Sequence, residues 1–541
     1  MASTVGVLAR PTGVDRPWVG LSRRQLSSIA SVLIVILILS MVEQGVPTLL
    51  SRHADRSSLT AWKAQAGVTS AITTLAVQLT GNAVLPPQLQ AGSTLGTQAP
   101  SQSGAPVVTS SRYLGNGGYL IGIDRALSLE AATTLATELL TLPGVQWADP
   151  NAILQPAVGG TDPAAPAREP ATTWNVDGPF GVGGVPTTAP VRRPVVAVID
   201  SGITRHPDLQ LQLVPGYDFV SDQPELAAVR VDGQDPSSFD GDATPGWDDD
   251  PSDPGDWSQA QADGVRPSRW HGTRIAGLIA QVAPSARIQP IRALGWRGGL
   301  VSDLATAITW ASGQPVTGVP INENPANIIN LSMATRAACP KILQQAIDGA
   351  LARGAVVVAA AGNAGSDARE FTPGNCAGVL TVAATGADGL RAPYSNYGPR
   401  IDLAAPGGNL GTDGGIRVAS NAGERTEGDP GYAQIEGTSA AAAHVAAALA
   451  GHVAAGMSST QARQVVLDSA QPFAQGEQCL PGELGDESLC GAGIVLSASP
   501  APSDAQNLLQ PQAACAASTT SVGAIYTTLT FSTTGTCDWT V

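Results

Sequence analysis

The alanine-rich stretch after residue 437 offers a candidate nucleophile. Ser439 follows a glycine and a threonine and precedes four consecutive alanines, which predict the first turns of a helix. Free backbone N–H groups and the positive end of the helix dipole at such a start stabilise an alkoxide or a tetrahedral oxyanion. A serine here is suited to nucleophilic chemistry, and the structural alternative is that Thr438 or Ser439 is an ordinary N-cap.

A carboxylate and a histidine occur at the ends of two other predicted elements. Asp200 ends the apolar run 195–199, whose composition is that of a buried parallel strand. Residues that contact ligands in α/β sheets lie at this carboxyl end of the strands. His271 opens a predicted helix beside Gly272, and it alone among the five histidines does so. Taken singly, Asp200 is typical of a helix cap and His271 of a structural histidine.

Apolar strands alternate with helices along the second half of the chain. The strands predicted at 328–334 and 355–363 flank a helix predicted at 341–353, and further strands follow at 379–384 and 401–403. A repeat of strand, helix and strand predicts a parallel sheet with right-handed crossovers.

The order Asp200, His271, Ser439 is one of the few known for a hydrolytic triad, and each residue lies at a predicted strand end or helix start. At these residues the chain resembles the subtilisin-like serine peptidases, over roughly residues 174–499. The matching motifs are Val-Ile-Asp200-Ser-Gly, His271-Gly-Thr, Gly-Thr-Ser439, Ala-Ala-Gly-Asn363 and Asn330-Leu-Ser-Met. The resemblance implies an α/β fold with a predominantly parallel, doubly wound sheet, helices on both faces and a peptidase domain at 165–499.

The resemblance also implies a role for each site residue. Asp200 would orient His271, which as general base would activate Ser439 for attack on a peptide carbonyl. The Asn363 side-chain amide and the Ser439 backbone N–H would bind the oxyanion. The implied substrate-binding residues are Leu331, Ser332, Met333, Ala334 and Gly362. No metal or other cofactor takes part in this chemistry, and the expected partners are polypeptide substrates.

Four positions depart from the family pattern. Ala440 and Ala443 stand where the family usually has methionine after the serine and proline before the later histidine. Arg274 replaces the second histidine of an HGTH motif, and Ala334 stands where glycine usually borders the cleft, so Ala334 is expected to narrow the specificity pocket. None of these changes removes a group that moves a proton, and we expect them to affect rate and specificity rather than activity.

The cysteine count indicates an oxidising compartment. Six cysteines, an even number, are unusual in a cytosolic enzyme. The cysteines near 339 and 376 and the tail around Cys490 resemble those of the secreted bacterial branch of the family. We predict the pairs Cys339–Cys376, Cys479–Cys490 and Cys515–Cys537, although spacing alone does not choose among fifteen pairings.

Charge and the N-terminal residues bear on the partners and the location. A net charge of −15 argues against nucleic acids and anionic membrane surfaces as partners. Within residues 1–50, arginines precede an uncharged apolar run from Gln25 to Val42 and Glu43 follows it. This pattern predicts a segment that crosses the membrane, a signal anchor rather than a cleaved signal peptide, with the bulk of the protein outside. The expected location is extracytoplasmic, either secreted or anchored by this segment.

The region ahead of the peptidase domain is predicted to contain a spacer and a small domain. Residues 51–104 are rich in small and polar residues and predict a loosely structured spacer, and residues 500–541 predict a C-terminal extension. Within 105–160, a strand at 119–123, a helix at 129–142 and a strand from 145 predict a small α+β unit.

This unit resembles the inhibitory propeptides of the family, so the protein's own propeptide is an expected partner. Its C-terminal end would lie in the cleft as an extra strand beside residues 331–334, until the Pro- and Ala-rich linker at 159–170 is cut. The alternative is a domain that only spaces the enzyme from the membrane.

The acidic segment between Asp232 and Asp256 contains nine aspartates in 25 residues. Clustered carboxylates repel one another unless a cation or water relieves the repulsion. Two interpretations stay open, a structural Ca²⁺ site with ligands such as Asp248, Asp250 and Asp253, and a solvated loop.

These features together predict an extracytoplasmic serine endopeptidase made as a zymogen. One alternative is a catalytically silent fold of the same family that serves as a binding or scaffolding module. A sedolisin-type acid peptidase would need Glu as base and Asp in the oxyanion hole, whereas this chain has His271 and Asn363.

Overall fold

The computed structural model describes residues 72–81, 83–95, 105–157, 173–183, 190–221, 246–260, 264–295, 298–474 and 489–496. These residues belong to one compact unit, 68–541. The strands are β1 (Ile72–Leu79), β2 (Val108–Gly115), β3 (Gly118–Leu127), β4 (Val145–Pro150), β5 (Ile153–Leu154), β6 (Val195–Asp200), β7 (Tyr217–Asp218), β8 (Ser258–Ala260), β9 (Gly264–Arg266), β10 (Arg287–Arg292), β11 (Gly299–Leu300), β12 (Ile328–Leu331), β13 (Thr335–Arg336), β14 (Val356–Ala360), β15 (Phe371–Thr372), β16 (Leu380–Thr385), β17 (Leu403–Pro406), β18 (Ile416–Asn421) and β19 (Pro430–Ile435). The α-helices are α1 (Leu129–Leu139), α2 (Trp174–Asp177), α3 (His271–Val282), α4 (Val301–Ala311), α5 (Lys341–Ala352), α6 (Thr438–Ala454) and α7 (Ser459–Asp468).

Seven parallel strands form the central sheet, in the order β17-β16-β14-β12-β6-β10-β7. Strand β6 is buried along its whole length, as its continuous apolar sequence predicts. Val195, Ala197 and Ile199 belong to the hydrophobic cluster on one face, whereas Val196 and Val198 belong to the cluster on the other. Helices cover both faces, because α4 and α5 contribute to the first cluster and α3, α6 and α7 to the second. The predicted doubly wound α/β fold is confirmed.

Helix α6 lies at the centre of the second face. All of its residues are buried, and it packs against five strands of the sheet and against α3 and α7. Alanine at most positions allows this, because small side chains let the helix backbone approach the sheet closely. His444 is one of the buried polar residues of α6, and its ring is satisfied: Nδ1 donates to the Ala440 carbonyl at 2.9 Å and Nε2 accepts from the Asn175 side-chain amide at 3.0 Å. Burial lowers the pKa of His444 to about 4.

The N-terminal subdomain (residues 72–157) contains a second sheet. Its four antiparallel strands have the order β2-β3-β1-β4, and helix α1 packs against it. The predicted strand at 119–123, helix from 129 and strand from 145 are present. The predicted spacer at 51–104 is wrong for residues 72–79, since β1 is a buried central strand. Threonines and a glutamine break the apolar pattern of β1, and pairing on both sides, which is a long-range property, makes it a strand.

One of the three predicted disulfides is confirmed, and the other two stay predictions. Cys339 and Cys376 form a disulfide across 37 residues of sequence. Cys490 is also disulfide-bonded, while its predicted partner Cys479 and the predicted pair Cys515–Cys537 lie outside the described residues.

The predicted membrane segment from Gln25 to Val42 also lies outside the described residues. Within those residues, every helix is too short or too polar to cross a bilayer.

The buried His444 predicts an acid-sensitive core. Its pKa of about 4 in the fold is below the ordinary value of 6.5, so the unfolded chain takes up this proton first as the pH falls. The stability due to the neutral ring is present above pH 6.5 and is lost between about 6.5 and 4, up to about 3 kcal/mol. We expect the free energy of unfolding of His444→Gln to fall less steeply than that of the wild type over this window. Parallel curves in denaturant titrations at several pH values would contradict the prediction.

Candidate active site

Asp200 and His271 form a buried hydrogen-bonded pair. Nδ1 of His271 lies 2.7 Å from Oδ1 of Asp200, and the side chains are 2% and 1% exposed. The carboxylate therefore holds the ring proton on Nδ1, which leaves Nε2 as the acceptor. Among the described residues, Nε2 of His271 has no hydrogen-bond partner, so it is available to take a proton.

Two backbone features place His271 against the end of β6. Trp270, which precedes α3, adopts the left-handed conformation with φ of 53°, a state that costs about 1–3 kcal/mol in a non-glycine residue. Its indole is buried and donates to the Gly423 carbonyl at 2.8 Å, which helps to hold this conformation. A methyl group on Gly272 would lie 2.0 Å from the Gly202 carbonyl oxygen. Glycine at 272 is therefore required for α3 to begin in contact with the turn after Asp200.

Ser201 joins this pair to the acidic segment. Its backbone N–H donates to Asp200 Oδ1 at 2.7 Å, and its hydroxyl donates to Oδ2 of Asp253 at 2.7 Å. The same hydroxyl accepts the Gly272 N–H at 3.0 Å. A chain of hydrogen bonds therefore links Asp253 to the turn that carries Asp200 and to the first turn of α3. Ser201 was not among the predicted site residues, and Asp253 was predicted as a possible Ca²⁺ ligand or as part of a solvated loop, whereas in the structure its carboxylate accepts the Ser201 hydroxyl.

Asp253 is a buried carboxyl. The pKa of Asp253 is raised to about 7, first by burial and then by the nearby Asp256 carboxylate, against the opposing hydrogen bonds from Ser201 and Gly255 and the charge of Arg292. Its oxygens accept from the Ser201 hydroxyl and, at 2.9 Å, from the Gly255 N–H. Asp253 thus acts as a fixed acceptor within the protein.

Arg274 adds a buried cation one turn after His271. Its Nε donates to the Ser420 hydroxyl at 3.1 Å, and its Nη1 has no partner among the described residues. Burial lowers the pKa of Arg274 to about 10, and the carboxylates of Asp256 and Asp253 oppose this effect. Arg274 thus belongs to a cluster of charges that includes Asp253, Asp256 and Arg269.

The described part of the acidic loop is hydrogen-bonded to itself. Asp248 Oδ1 accepts the Asp250 N–H at 2.9 Å, and Asp250 Oδ1 accepts the Ser252 N–H at 3.1 Å. Within the described residues, no group of three or more His, Cys, Asp or Glu is arranged to hold a metal ion. The rest of the loop, within 222–245, lies outside those residues, so structural Ca²⁺ stays a prediction.

Ser439 lies in the first turn of α6, and Thr438 orients the residues around it. The N-cap of α6 is Gly437, so the alternative that Thr438 or Ser439 is the N-cap is wrong. Thr438 donates its backbone N–H and its hydroxyl to Asn363 Oδ1, at 2.9 and 2.8 Å. Because Oδ1 is held in this way, the NH₂ group of Asn363 points away from Thr438 and toward Ser439.

Ser439 and Asn363 meet at one carbonyl oxygen. The Asn363 amide donates to the Ala157 oxygen at 2.6 Å, and the Ser439 hydroxyl donates to the same oxygen at 2.5 Å. The Ser439 hydroxyl also lies 3.1 Å from the Ser332 carbonyl oxygen. Among the described residues, the Ser439 backbone N–H makes no hydrogen bond to the Ala157 oxygen, so its role as second oxyanion donor stays a prediction.

Ala157 is the last described residue of an extended stretch in the cleft, here named the cleft segment (residues 153–157), which begins with β5. Its backbone pairs on one side with residues 332–334: the Ala157 N–H donates to the Ser332 carbonyl and the Ala334 N–H to the Gln155 carbonyl, both at 3.0 Å. On the other side, β5 pairs antiparallel with β11. The cleft segment is therefore the middle strand of a small antiparallel arrangement, as an extended peptide bound by strand addition would be.

Three of the five predicted substrate-binding residues lie along the cleft segment, and one, Leu331, does not. Ser332, Met333 and Ala334 lie beside the cleft segment, and Met333 is paired with Pro156. Leu331, in contrast, is buried in β12 and pairs with Ala359 of the central sheet.

The fifth predicted residue, Gly362, lies next to the first turn of α6. Gly362 has a φ of 99° and donates its N–H to the Thr438 hydroxyl at 3.1 Å. The other edge of the cleft is Gly299–Leu300, which pairs with β5. It was not among the residues predicted from the sequence. The paired glycines at 298 and 299 are the signal that indicates it, since glycine permits close approach of another backbone.

The geometry agrees with comparisons to known proteins. Residues 192–493 match the model of the subtilase family. The chain is 37% identical over 404 residues to an extracellular protease of Xanthomonas campestris pv. campestris, covering 72% of this chain and 64% of the relative. It is 32% identical over 355 residues to an extracellular basic protease of Dichelobacter nodosus, covering 62% of this chain and 55% of the relative. The chain therefore spans less than two thirds of the length of either relative.

A solved structure gives the same result. The chain is similar to that of a protease from Pseudoalteromonas arctica PAMC 21717, with 36% identity and a TM-score of 0.50. The match covers 59% of this chain and 93% of that one.

Loss of the Ser201 hydroxyl is expected to lower kcat and to leave KM unchanged. Ser201→Ala leaves the buried Asp253 carboxyl and the Gly272 N–H without this partner, at about 1–3 kcal/mol. We expect kcat for a peptide substrate to fall about tenfold, since 1.4 kcal/mol of lost positioning is tenfold in rate. KM should be unchanged, because among the described residues the Ser201 side chain bonds only to Asp253 and Gly272. Ser201→Thr, which keeps the hydroxyl, is the matched control; equal losses in both variants, or a change in KM alone, would refute the role.

Proposed function

The chain belongs to the subtilase family, and on that basis we propose that it is a secreted serine endopeptidase made as a zymogen. In this proposal Asp200, His271 and Ser439 form the catalytic triad and Asn363 is an oxyanion-hole donor. The observation that carries it is the Ala157 carbonyl, whose oxygen accepts hydrogen bonds from both Asn363 and Ser439. A nucleophile and an oxyanion donor that converge on one peptide carbonyl are the arrangement that acyl transfer requires.

In the structure the Ser439 hydroxyl donates to the Ala157 carbonyl and Nε2 of His271 has no partner among the described residues, so the proposed reaction requires the hydroxyl to turn toward Nε2. Ser439 Oγ attacks the carbonyl carbon of the residue in the position of Ala157, and its proton passes to Nε2 of His271. The Asp200 carboxylate, which is hydrogen-bonded to Nδ1 of His271, stabilises the imidazolium that forms. The Asn363 amide stabilises the negative charge that develops on the carbonyl oxygen.

The acyl-enzyme then forms and is released. His271 gives the proton to the leaving amine as the C–N bond breaks, and an acyl bond to Ser439 remains. A water molecule activated by the same Nε2 hydrolyses that bond and restores the hydroxyl. No metal is required for these steps.

The zymogen proposal rests on the residues that fill the cleft. The peptide bond placed for attack is the one that follows Ala157, which belongs to the same chain. After cleavage there, the new C-terminus would stay paired with residues 332–334 and with β11 and would exclude other substrates. Release of the N-terminal subdomain would therefore be the step that yields free enzyme.

The N-terminal subdomain has specific contacts that favour an inhibitor over a spacer. Asp149 Oδ2 accepts the Lys341 N–H at 2.6 Å at the start of α5, and Asn151 Oδ1 accepts the Ser302 N–H at 2.9 Å at the start of α4. Neither helix has a side-chain cap from its own N-cap residue. The subdomain thus satisfies free N–H groups of two helices of the peptidase domain. Its apolar core is also continuous with the first face of the central sheet.

Secretion is supported by the relatives and by the disulfides. Two relatives are named as extracellular proteases, and Cys339–Cys376 fits an oxidising compartment. Anchoring by the apolar run before residue 43 remains a prediction. The rival function, a catalytically silent scaffold, would keep the same fold but would not need Nε2 of His271 and the Ser439 hydroxyl to react.

The Ser439→Ala variant tests the activity. Removal of a triad nucleophile costs on the order of 10⁶ in rate, so the variant should remain one full-length chain and should not react with a fluorophosphonate probe. The wild type should be cleaved after Ala157, as read by mass spectrometry, and should then be labelled at Ser439. His271→Ala should behave as Ser439→Ala does. A folded wild type that is neither cleaved nor labelled would establish the scaffold instead.

If the capping contacts of Asp149 and Asn151 hold the cleaved subdomain in place, their loss should speed activation of the enzyme. In the full-length chain, Asp149→Ala with Asn151→Ala leaves the starts of two helices uncapped, at about 0.5–2 kcal/mol for each cap. We expect the cleaved subdomain to dissociate faster, which shortens the lag before hydrolysis of an added peptide. Glu130→Ala, on an exposed position of α1, is the matched control. If both variants show the lag of the wild type, the contacts do not contribute to inhibition.

A further inference from the structure

The loop between β18 and β19, here named the hairpin loop (residues 421–428), contacts the chain just before His271. Three consecutive carbonyl groups of this loop accept hydrogen bonds from residues 268–270. The bonds run from the Trp270 indole to Gly423 at 2.8 Å, from the Ser268 N–H to Glu424 at 2.7 Å and from the Ser268 hydroxyl to Arg425 at 2.7 Å. Glu424 and Arg425 are exposed, so the loop holds this segment through its backbone.

The strand that leads into the hairpin loop contacts α3 after His271 as well. The Ser420 hydroxyl accepts the Arg274 Nε–H at 3.1 Å, and both residues are buried. A methyl group on Gly277 would lie 2.5 Å from the Ala419 Cβ, so α3 lies directly against β18. The hairpin therefore contacts the chain on both sides of His271.

The hairpin also reaches the stretch that follows Asp200. The Glu427 carboxylate accepts the backbone N–H of Arg205 at 2.8 Å. The ring Nε2 of His206 lies 3.0 Å from the Gly431 carbonyl oxygen, at the start of β19. One hairpin thus joins the two segments that carry Asp200 and His271, although these segments are far apart in the sequence.

Asn421 gives the hairpin loop its shape. Its Oδ1 accepts the Gly423 N–H at 2.9 Å and the Gly428 N–H at 2.7 Å, and its amide donates to the Gly428 carbonyl at 3.0 Å. The Asn421 side chain is buried, and a methyl group on Gly423 would lie 1.9 Å from the Thr426 carbonyl oxygen. Because Gly423 is fixed in this way, its carbonyl is held in one orientation toward Trp270.

Trp270 is the residue through which the hairpin loop acts on His271. Its backbone has a φ of 53°, and a non-glycine residue keeps this left-handed conformation only where its surroundings hold it. His271 follows at once, so relaxation of Trp270 would change the direction in which the imidazole leaves the start of α3. The 2.7 Å bond to Asp200 tolerates little such movement, because hydrogen bonds weaken steeply when their angle is poor.

We propose that the hairpin loop is a positioning element of the peptidase, in which Asn421 and Trp270 act as positioning residues for His271. The inference rests on the proposed function, since it assigns them to the orientation of the proposed general base. Among the described residues, the side-chain hydrogen bonds of both go to the hairpin loop and not to the cleft segment. Their loss should therefore change kcat and leave KM unchanged.

Trp270→Phe keeps an aromatic ring and removes only the indole donor. We expect kcat of the processed enzyme for acetyl-Leu-Gln-Pro-Ala-p-nitroanilide, which has the sequence of residues 154–157, to fall about tenfold at constant KM. Trp310→Phe is the matched control, because that buried indole donates to the Pro320 carbonyl at 2.7 Å at the end of α4. This control should keep the kcat of the wild type. Equal losses of kcat in both variants, or a change in KM alone, would overturn the proposal.

A second pair of variants tests the loop itself. Asn421→Ala removes both acceptor bonds and should lower kcat as Trp270→Phe does. Asn421→Asp keeps an oxygen for the Gly423 and Gly428 N–H groups and should recover most of the kcat. If both variants have the kcat of the wild type, the loop does not position His271. This pair also gives the answer if Trp270→Phe does not fold.

The Nδ1 proton of His271 provides a measurement that is independent of turnover. In the full-length Ser439→Ala chain, a proton held between imidazole and carboxylate should give a separate downfield line in the proton NMR spectrum, assigned by its loss on addition of His271→Ala. We expect the line to persist with Trp310→Phe and to broaden beyond detection with Trp270→Phe. An unchanged line with Trp270→Phe would refute the positioning role. If the wild type hydrolyses no peptide in a Ser439-dependent manner, the proposed function fails, whereas the NMR line still tests whether the loop positions His271.

Discussion

The contact between the turn after β6 and the first turn of α3 is the constraint on which the candidate site depends. Gly272 passes so close to the Gly202 carbonyl that no side chain fits between them, and this contact sets the 2.7 Å pairing of Asp200 with His271. Packing against a rigid parallel strand fixes the carboxylate, and the strained start of the helix at Trp270 fixes the imidazole. Strain of this kind persists only where the surroundings over-determine it, which here means the buried indole and the hydrogen bonds of Ser201.

Several charged side chains are buried near the turn after β6 and the first turns of α3. Asp253, Arg274 and Arg292 are buried, and Arg292 pairs with Asp218. Burial of an isolated charge is costly, whereas opposite charges and hydrogen bonds within one cluster offset much of that cost. By this reasoning the cluster contributes little to the free energy of unfolding. It does keep a carboxyl, Asp253, in position to accept the Ser201 hydroxyl in the turn after Asp200.

The cleft holds the cleft segment through hydrogen bonds to its backbone. An extended segment between residues 332–334 and β11 is bound through main-chain hydrogen bonds, which are the same for any sequence. The side chains of Ala157 and Leu154 in that segment are also buried by the protein. The N-terminal subdomain uses this general mode of binding and adds caps on two helices, so it would hold the cleft more tightly than a short peptide of the same sequence.

Local patterns determined the elements of this protein, and tertiary contacts decided how they are used. The apolar run of β6, the helix that opens at His271, the alanine helix after Ser439 and the Cys339–Cys376 pair were all predictable, because each has a short-range signal or a family motif. Strand β1 was not, since its threonines hide the pattern and only pairing with β3 and β4 makes it a central strand. The bracing of Asp200 by Ser201 and Asp253, 52 residues apart, and the placement of Leu331 in the core also depended on long-range packing. Motifs and their order in the sequence identify the groups proposed to do chemistry, whereas the distances between groups far apart in the chain are a property of the folded molecule alone.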